Sequence, residues 1–222
     1  MPPRPVPDTI RITRSSAKLG VFDFTEHVAS LCRRIVAHNS EYSHIDMSRI
    51  ATSFSYGRPS SSGGTFASLT PLRFPNGERE TLRRGRRMRI QSVVGPNNVE
   101  MLYILTLYVP RFVNQTFREK LITLFHELWH VGPNFDGDIR RHDGRCYAHG
   151  SSRDDYDKQM GLLVDRWLRT KPAAPELETM QLDYRSLWTK HQRMTGLKLP
   201  RIRLLPIEKP SAVAVRKPPS KG

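Results

Sequence analysis

The sequence predicts an α+β domain, a small antiparallel or mixed sheet packed against helices, and three observations lead there. Apolar residues recur at helical spacing before residue 40 and again after residue 116. Between these regions they form short strand-like runs separated by Gly- and Pro-rich punctuation. At 222 residues the chain is long enough for one domain with a real core, flanked by tails.

Residues 1–20 are rich in Pro and Arg and lack periodicity, which predicts a disordered basic arm ahead of a domain spanning 21–195. Phe24, Val28, Leu31 and Ile35 form one stripe, so a helix is expected from Phe24 to His38, capped by Thr25 or Asp23. Cys32 lies beside that stripe and reads as a small buried hydrophobe. After a loop containing His44 and Asp46, strands are predicted over Ile50–Tyr56 and Thr65–Phe74. Residues 57–64 between them read as a flexible hairpin loop, without the Lys-Ser/Thr ending of a phosphate-binding loop. A further strand is expected over Arg86–Val94, a turn at Gly95-Pro96-Asn97-Asn98, and a strand over Met101–Val109 closed by Pro110.

The next helix carries the chemistry. Thr116 and Glu119 make a capping box, and Phe117, Leu121, Leu124 and Leu128 follow at helical spacing. Val131-Gly132-Pro133 supplies the stop, with Gly132 suited to a left-handed cap. Inside this helix stands His126-Glu127-Leu128-Trp129-His130, of the form His-Glu-x-x-His. With this composition, a shuffled chain would contain the pattern about one time in a hundred. Positions four apart share a helix face, so His126 and His130 can offer two imidazoles to one metal ion, zinc by donor type. Glu127 falls beside them, where a carboxylate can take a proton from a water activated by the metal. The competing reading is a core helix with two satisfied histidines. It is weakened because Ile122, Phe125 and Trp129 make the helix apolar on several sides, where such groups are costly to bury.

A catalytic zinc usually takes three protein ligands, and the sequence offers three candidates for the last. Extending the motif to His-Glu-x-x-His-x-x-Gly-x-x-His puts Pro133 at the Gly position and Asp136 at the ligand position. His142 and His149 lie further on, in a segment dense in polar groups. His149 just precedes a helix predicted over Asp154–Leu168, and a packed helix start holds a ligand firmly, which favours it. Tyr147, Arg145, His142 and Tyr156 are candidate donors to an oxyanion, and Asp136, Asp138 and Asp143 candidate carboxylates to orient the histidines. Another helix is expected over Pro175–Met194, and residues 196–222 read as a disordered basic tail.

The motif after a short set of strands, followed by His149-Gly150 and a helix bearing Tyr156 and Met160, resembles the SprT-like and phage-type zinc metallopeptidases. The resemblance spans residues 40–168 and is specific at the motif. It implies a compact zincin-like fold, Zn2+ bound by His126, His130 and His149, and Glu127 as the general base of a hydrolase acting on protein or peptide substrates. A strand edge, from Thr65–Phe74 or Met101–Val109, is expected to hold the substrate backbone.

A formal charge of +15 raises nucleic acid as a partner. Five arginines fall between Arg83 and Arg89, and seven basic residues lie between Gly196 and Gly222 against only Glu208. Solvated loops that keep the protein soluble are the plain alternative. The rival function is therefore a nucleic-acid-associated binding protein with a structural metal and a basic tail. Two cysteines and a start without an apolar stretch predict a cytoplasmic protein, and no run is long enough to span a bilayer.

Overall fold

The computed structural model describes residues 7–13, 21–57, 64–141, 153–170 and 172–207, with side chains from residue 158 onward in the third helix. In chain order the elements are β1 (Thr9–Arg11), α1 (Phe24–Ala37), β2 (Ile50–Tyr56), β3 (Ala67–Pro71), β4 (Glu80–Arg83), β5 (Arg86–Ile90), β6 (Ser92–Val94), β7 (Tyr103–Val109), α2 (Phe117–Trp129), α3 (Arg153–Arg169), α4 (Glu176–Met180), α5 (Tyr184–His191) and β8 (Leu204–Pro206). They form an α+β arrangement of helices around three small sheets.

The sheet that positions the motif helix has the order β2-β7-β3. β7 is an apolar run paired on both sides: parallel to β2 from Ile50↔Tyr103 to Tyr56↔Val109, and antiparallel to β3 from Ala67↔Leu107 to Pro71↔Tyr103. β2 and β3 are therefore not the two arms of a hairpin, as the Gly- and Ser-rich linker suggested, because β7 lies between them. Alternation along the strands divides the core. Ile50, Phe54, Tyr103, Leu105 and Leu107 enter the main cluster with α1, α2 and α3, while Ala51 and Ile104 face a smaller cluster with Leu72, Val93 and Met101.

The helices bury the stripes that predicted them. α1 is capped by Asp23, whose carboxylate accepts the Glu26 amide at 2.9 Å, and it buries Phe24, Val28, Leu31, Cys32 and Ile35. Burial pushes the Cys32 thiol up to about 12, the state of a packed hydrophobe and not of a nucleophile. α3 lays Met160, Val164 and Trp167 into the core against α2, with Phe125 and Trp167 rings 5.9 Å apart. Arg118 and Asp165 tie the two helices on the outside at 2.8 Å.

Four expectations change. The strand foreseen over Arg86–Val94 divides at Gln91 into β5 and β6, which belong to different sheets. Gln91 is buried there, donating Nε2 to the Pro7 carbonyl at 2.6 Å and its amide to the Arg203 carbonyl at 2.9 Å. The helix foreseen over Pro175–Met194 is two short helices, because the Asp183 carboxylate accepts the Ser186 amide at 2.7 Å and starts α5 anew. Residues 7–13, read from composition as part of an arm, contain β1, which pairs parallel with β6. Residues 196–207, read as the start of a tail, contain β8, which pairs antiparallel with β5. Among the described residues no helix is long and apolar enough to cross a membrane.

Candidate functional site

α2 starts at Thr116 through the reciprocal capping box, in which the Thr116 hydroxyl accepts from the Glu119 amide and the Glu119 carboxylate accepts from the Thr116 amide. Leu121, Leu124, Phe125 and Leu128 hold one side of the helix in the core, which leaves His126 and His130 half-buried on neighbouring turns. Their rings lie edge to face with centroids 4.7 Å apart. Two imidazoles so placed are a donor set suited to zinc.

Glu127, between the two histidines in sequence, is buried. It is 8% exposed, and burial pushes its carboxyl up to about 7, with the Leu69 backbone N–H holding it from rising further. That N–H lies on the side of β3 with which no other strand pairs among the described residues. Tyr108 donates to the Phe66 carbonyl and Leu72 to the Leu102 carbonyl, so even-numbered positions of β3 bond to β7 and Ala67, Leu69 and Pro71 turn outward. The opposite edge of the sheet is covered, since the β2 residue Phe54 donates its amide to the Leu197 carbonyl at 2.9 Å. Of the two strands considered for holding a substrate, β7 is central and β3 is the edge beside Glu127.

The chain leaving α2 turns back on itself. Val131 bridges Ile139, Arg140 donates its amide to the His130 carbonyl at 2.8 Å, and its guanidinium lies 4.3 Å from the Trp129 ring centre. Gly132 is not a left-handed cap: its φ is not positive, and His130 ends the helix in right-handed geometry. Glycine is required there for space, because a Cβ would sit 2.5 Å from the Asp138 carbonyl oxygen. His44 hydrogen-bonds the Val131 backbone at this corner, and burial, then Arg140, lower its affinity for a proton. Nothing in the local sequence of His44 signals that placement, which depends on packing against a segment far along the chain.

Asp136 does not join the histidine pair. Its carboxylate accepts the Asp138 amide at 3.0 Å and packs on Gly77. Asp138 is also committed, accepting from the Asn76 amide, the Ile139 amide and Arg141. Among the described residues no group of three or more His, Cys, Asp or Glu is placed to hold a metal ion. His142 and His149 lie outside the described residues, as do Asp143, Arg145, Cys146 and Tyr147 and the side chain of Tyr156. Met160 is 1% exposed and belongs to the core. Arg83–Arg89 lie on the β4–β5 hairpin, in a different sheet from β2-β7-β3. No family model, curated protein or solved structure matches the chain.

Proposed function

We propose that the chain is a zinc-dependent metallopeptidase of the SprT-like, zincin-like kind, hydrolysing peptide bonds of a protein or peptide substrate. The observation that carries this reading is the His126–His130 ring pair on the helix that also bears Glu127, whose buried carboxyl lies beside the Leu69 N–H of β3. His126 and His130 would hold the zinc, with His149 as the third donor. Bound zinc supplies a Lewis acid that activates water and polarises the scissile carbonyl.

Glu127 is the general base. Its carboxylate, on the helix between the two histidines, would take the proton of the attacking water and pass it to the leaving amine. An extended substrate adds to the open edge of β3 and exchanges main-chain hydrogen bonds with Ala67 and Leu69. In doing so it competes for the Leu69 N–H and releases the Glu127 carboxylate for its task.

Metal content and hydrolysis of an unstructured protein substrate, measured together, test the reading. Wild type is expected to retain about one zinc per chain, lost in His126→Ala and His149→Ala. Glu127→Gln is expected to keep the metal while hydrolysis falls by about 10²–10⁴-fold. Wild type that binds no zinc when zinc is supplied, or Glu127→Gln with full activity, would reject it.

A further inference from the structure

The arginine-rich segment and a strand from the C-terminal part of the chain share one sheet, of order β4-β5-β8. β4 and β5 form a hairpin whose turn is Arg84-Gly85, with φ of 50° and 74°, the left-handed pair that a two-residue turn demands. A Cβ on Gly85 would meet nothing within 4 Å, so the turn projects into solvent.

Charge is sorted along this ribbon. At its base Arg89 pairs with Asp8 at 2.5 Å, and Arg87 pairs with Glu80. At its tip Arg83, Arg84 and Arg86 are exposed, and none of the three forms an ion pair among the described residues. Arg83 and Arg86 also face each other in the last register pair. Like charges directly opposed on neighbouring strands weaken a hairpin, and an anion between them reverses the sign. β8 runs antiparallel along β5 toward the tip, and Ile207 donates its amide to the Arg87 carbonyl at 2.9 Å. Arg201 and Arg203 precede that strand, exposed, and the sequence continues with Lys209, Arg216, Lys217 and Lys221.

We propose that the tip formed by Arg83, Arg84 and Arg86 is a contact site for the phosphate backbone of duplex nucleic acid. A two-stranded ribbon has the width that a duplex groove admits, and guanidinium groups bind phosphate with paired donors. No aromatic residue lies between Glu80 and Ile90, so the ribbon lacks the stacking surface that single strands use. Leu82, 71% exposed, is the sole large apolar side chain exposed on the hairpin, too little to insert into a lipid surface. The site is independent of the metallopeptidase reading.

The test is fluorescence anisotropy of the full chain with a labelled DNA duplex of about 20 base pairs over a range of salt. Arg83→Gln/Arg84→Gln/Arg86→Gln is compared with Arg185→Gln/Lys190→Gln/Arg193→Gln, which removes equal charge from exposed positions on and just after α5. The tip variant is expected to weaken binding roughly 100-fold near 0.1 M salt and to lower the salt slope by about 2–3, while the control changes affinity less than about threefold. An unchanged melting temperature shows the tip variant folded. Equal losses in the two variants, wild-type affinity in the tip variant, or no duplex binding by wild type would overturn the proposal. So would stronger wild-type binding to a single strand of the same length or to phosphatidylserine vesicles.

Discussion

Lys120 lies in the first turn of α2, 2% exposed, with Nζ donating to the Met180 carbonyl at 2.9 Å and the Leu182 carbonyl at 2.7 Å. It thereby closes the end of α4 and fastens the C-terminal third of the chain to the motif helix. Burial pushes its ammonium down to about 8, and Asp183 opposes the shift. A lysine whose folded value lies below its ordinary 10.5 binds fewer protons folded than unfolded between the two. Its contribution to stability therefore rises as pH climbs from about 8 toward 10.5. Lys120→Met takes the ammonium donor from a buried and a part-buried carbonyl and is expected to cost about 2 kcal/mol at pH 7. Urea unfolding should show the gap between wild type and variant widening from pH 8 to pH 10; a gap that narrows would contradict the assignment. Gly132 shows what a residue's neighbours in sequence conceal. Its position after α2 pointed to a left-handed cap, whereas its constraint is the Asp138 carbonyl brought close by the Val131–Ile139 bridge.

Elements whose cause is local were legible, and those whose cause is pairing were not. The capping box and stripe of α2 gave its limits and placed His126, Glu127 and His130 on it, because i, i+3 and i+4 relations are written in consecutive residues. β1 and β8 are three residues long and exist only through partners elsewhere in the chain, so no periodicity betrays them. The same holds for the order β2-β7-β3, which makes β3 an edge strand. Proline scanning of β3 tests that order. Thr70 bonds toward β7, and Thr70→Pro removes a ladder bond inside the sheet, expected to cost about 3 kcal/mol or more. Leu69→Pro keeps the ladder but removes the N–H beside the Glu127 carboxyl and part of one side chain's packing, expected to cost about 1–2 kcal/mol while lowering the proposed hydrolysis further than its loss of stability explains. Equal destabilisation by the two would mean that β3 is not an edge.

At the scale of the whole molecule, the sheet has a second face that the main core does not cover. Ala51 and Ile104 are buried on it by Ile10 and Ile12 from the beginning of the described chain and by Leu197, Leu199 and Ile202 from its end. Leu197 also accepts the Phe54 amide and donates to the Thr25 hydroxyl, both at 2.9 Å, so this segment closes the outer edge of β2. Composition alone placed residues 196–222 outside the domain, since Lys, Arg and Pro among these apolar residues mask their alternation. The structure makes 196–207 part of the fold. Truncation after Thr195 strips three half-buried apolar side chains and uncovers a strand edge, a loss of about 2–4 kcal/mol. For a chain of this size that lowers the melting temperature by about 10 °C. Truncation after Ile207 keeps all of these contacts and is expected to melt with the full chain. Should the two truncated proteins melt together, the C-terminal segment would not be holding the sheet. Because the truncation uncovers the outer edge of β2, the shorter protein is also expected to aggregate through that strand, read as rising light scattering before unfolding.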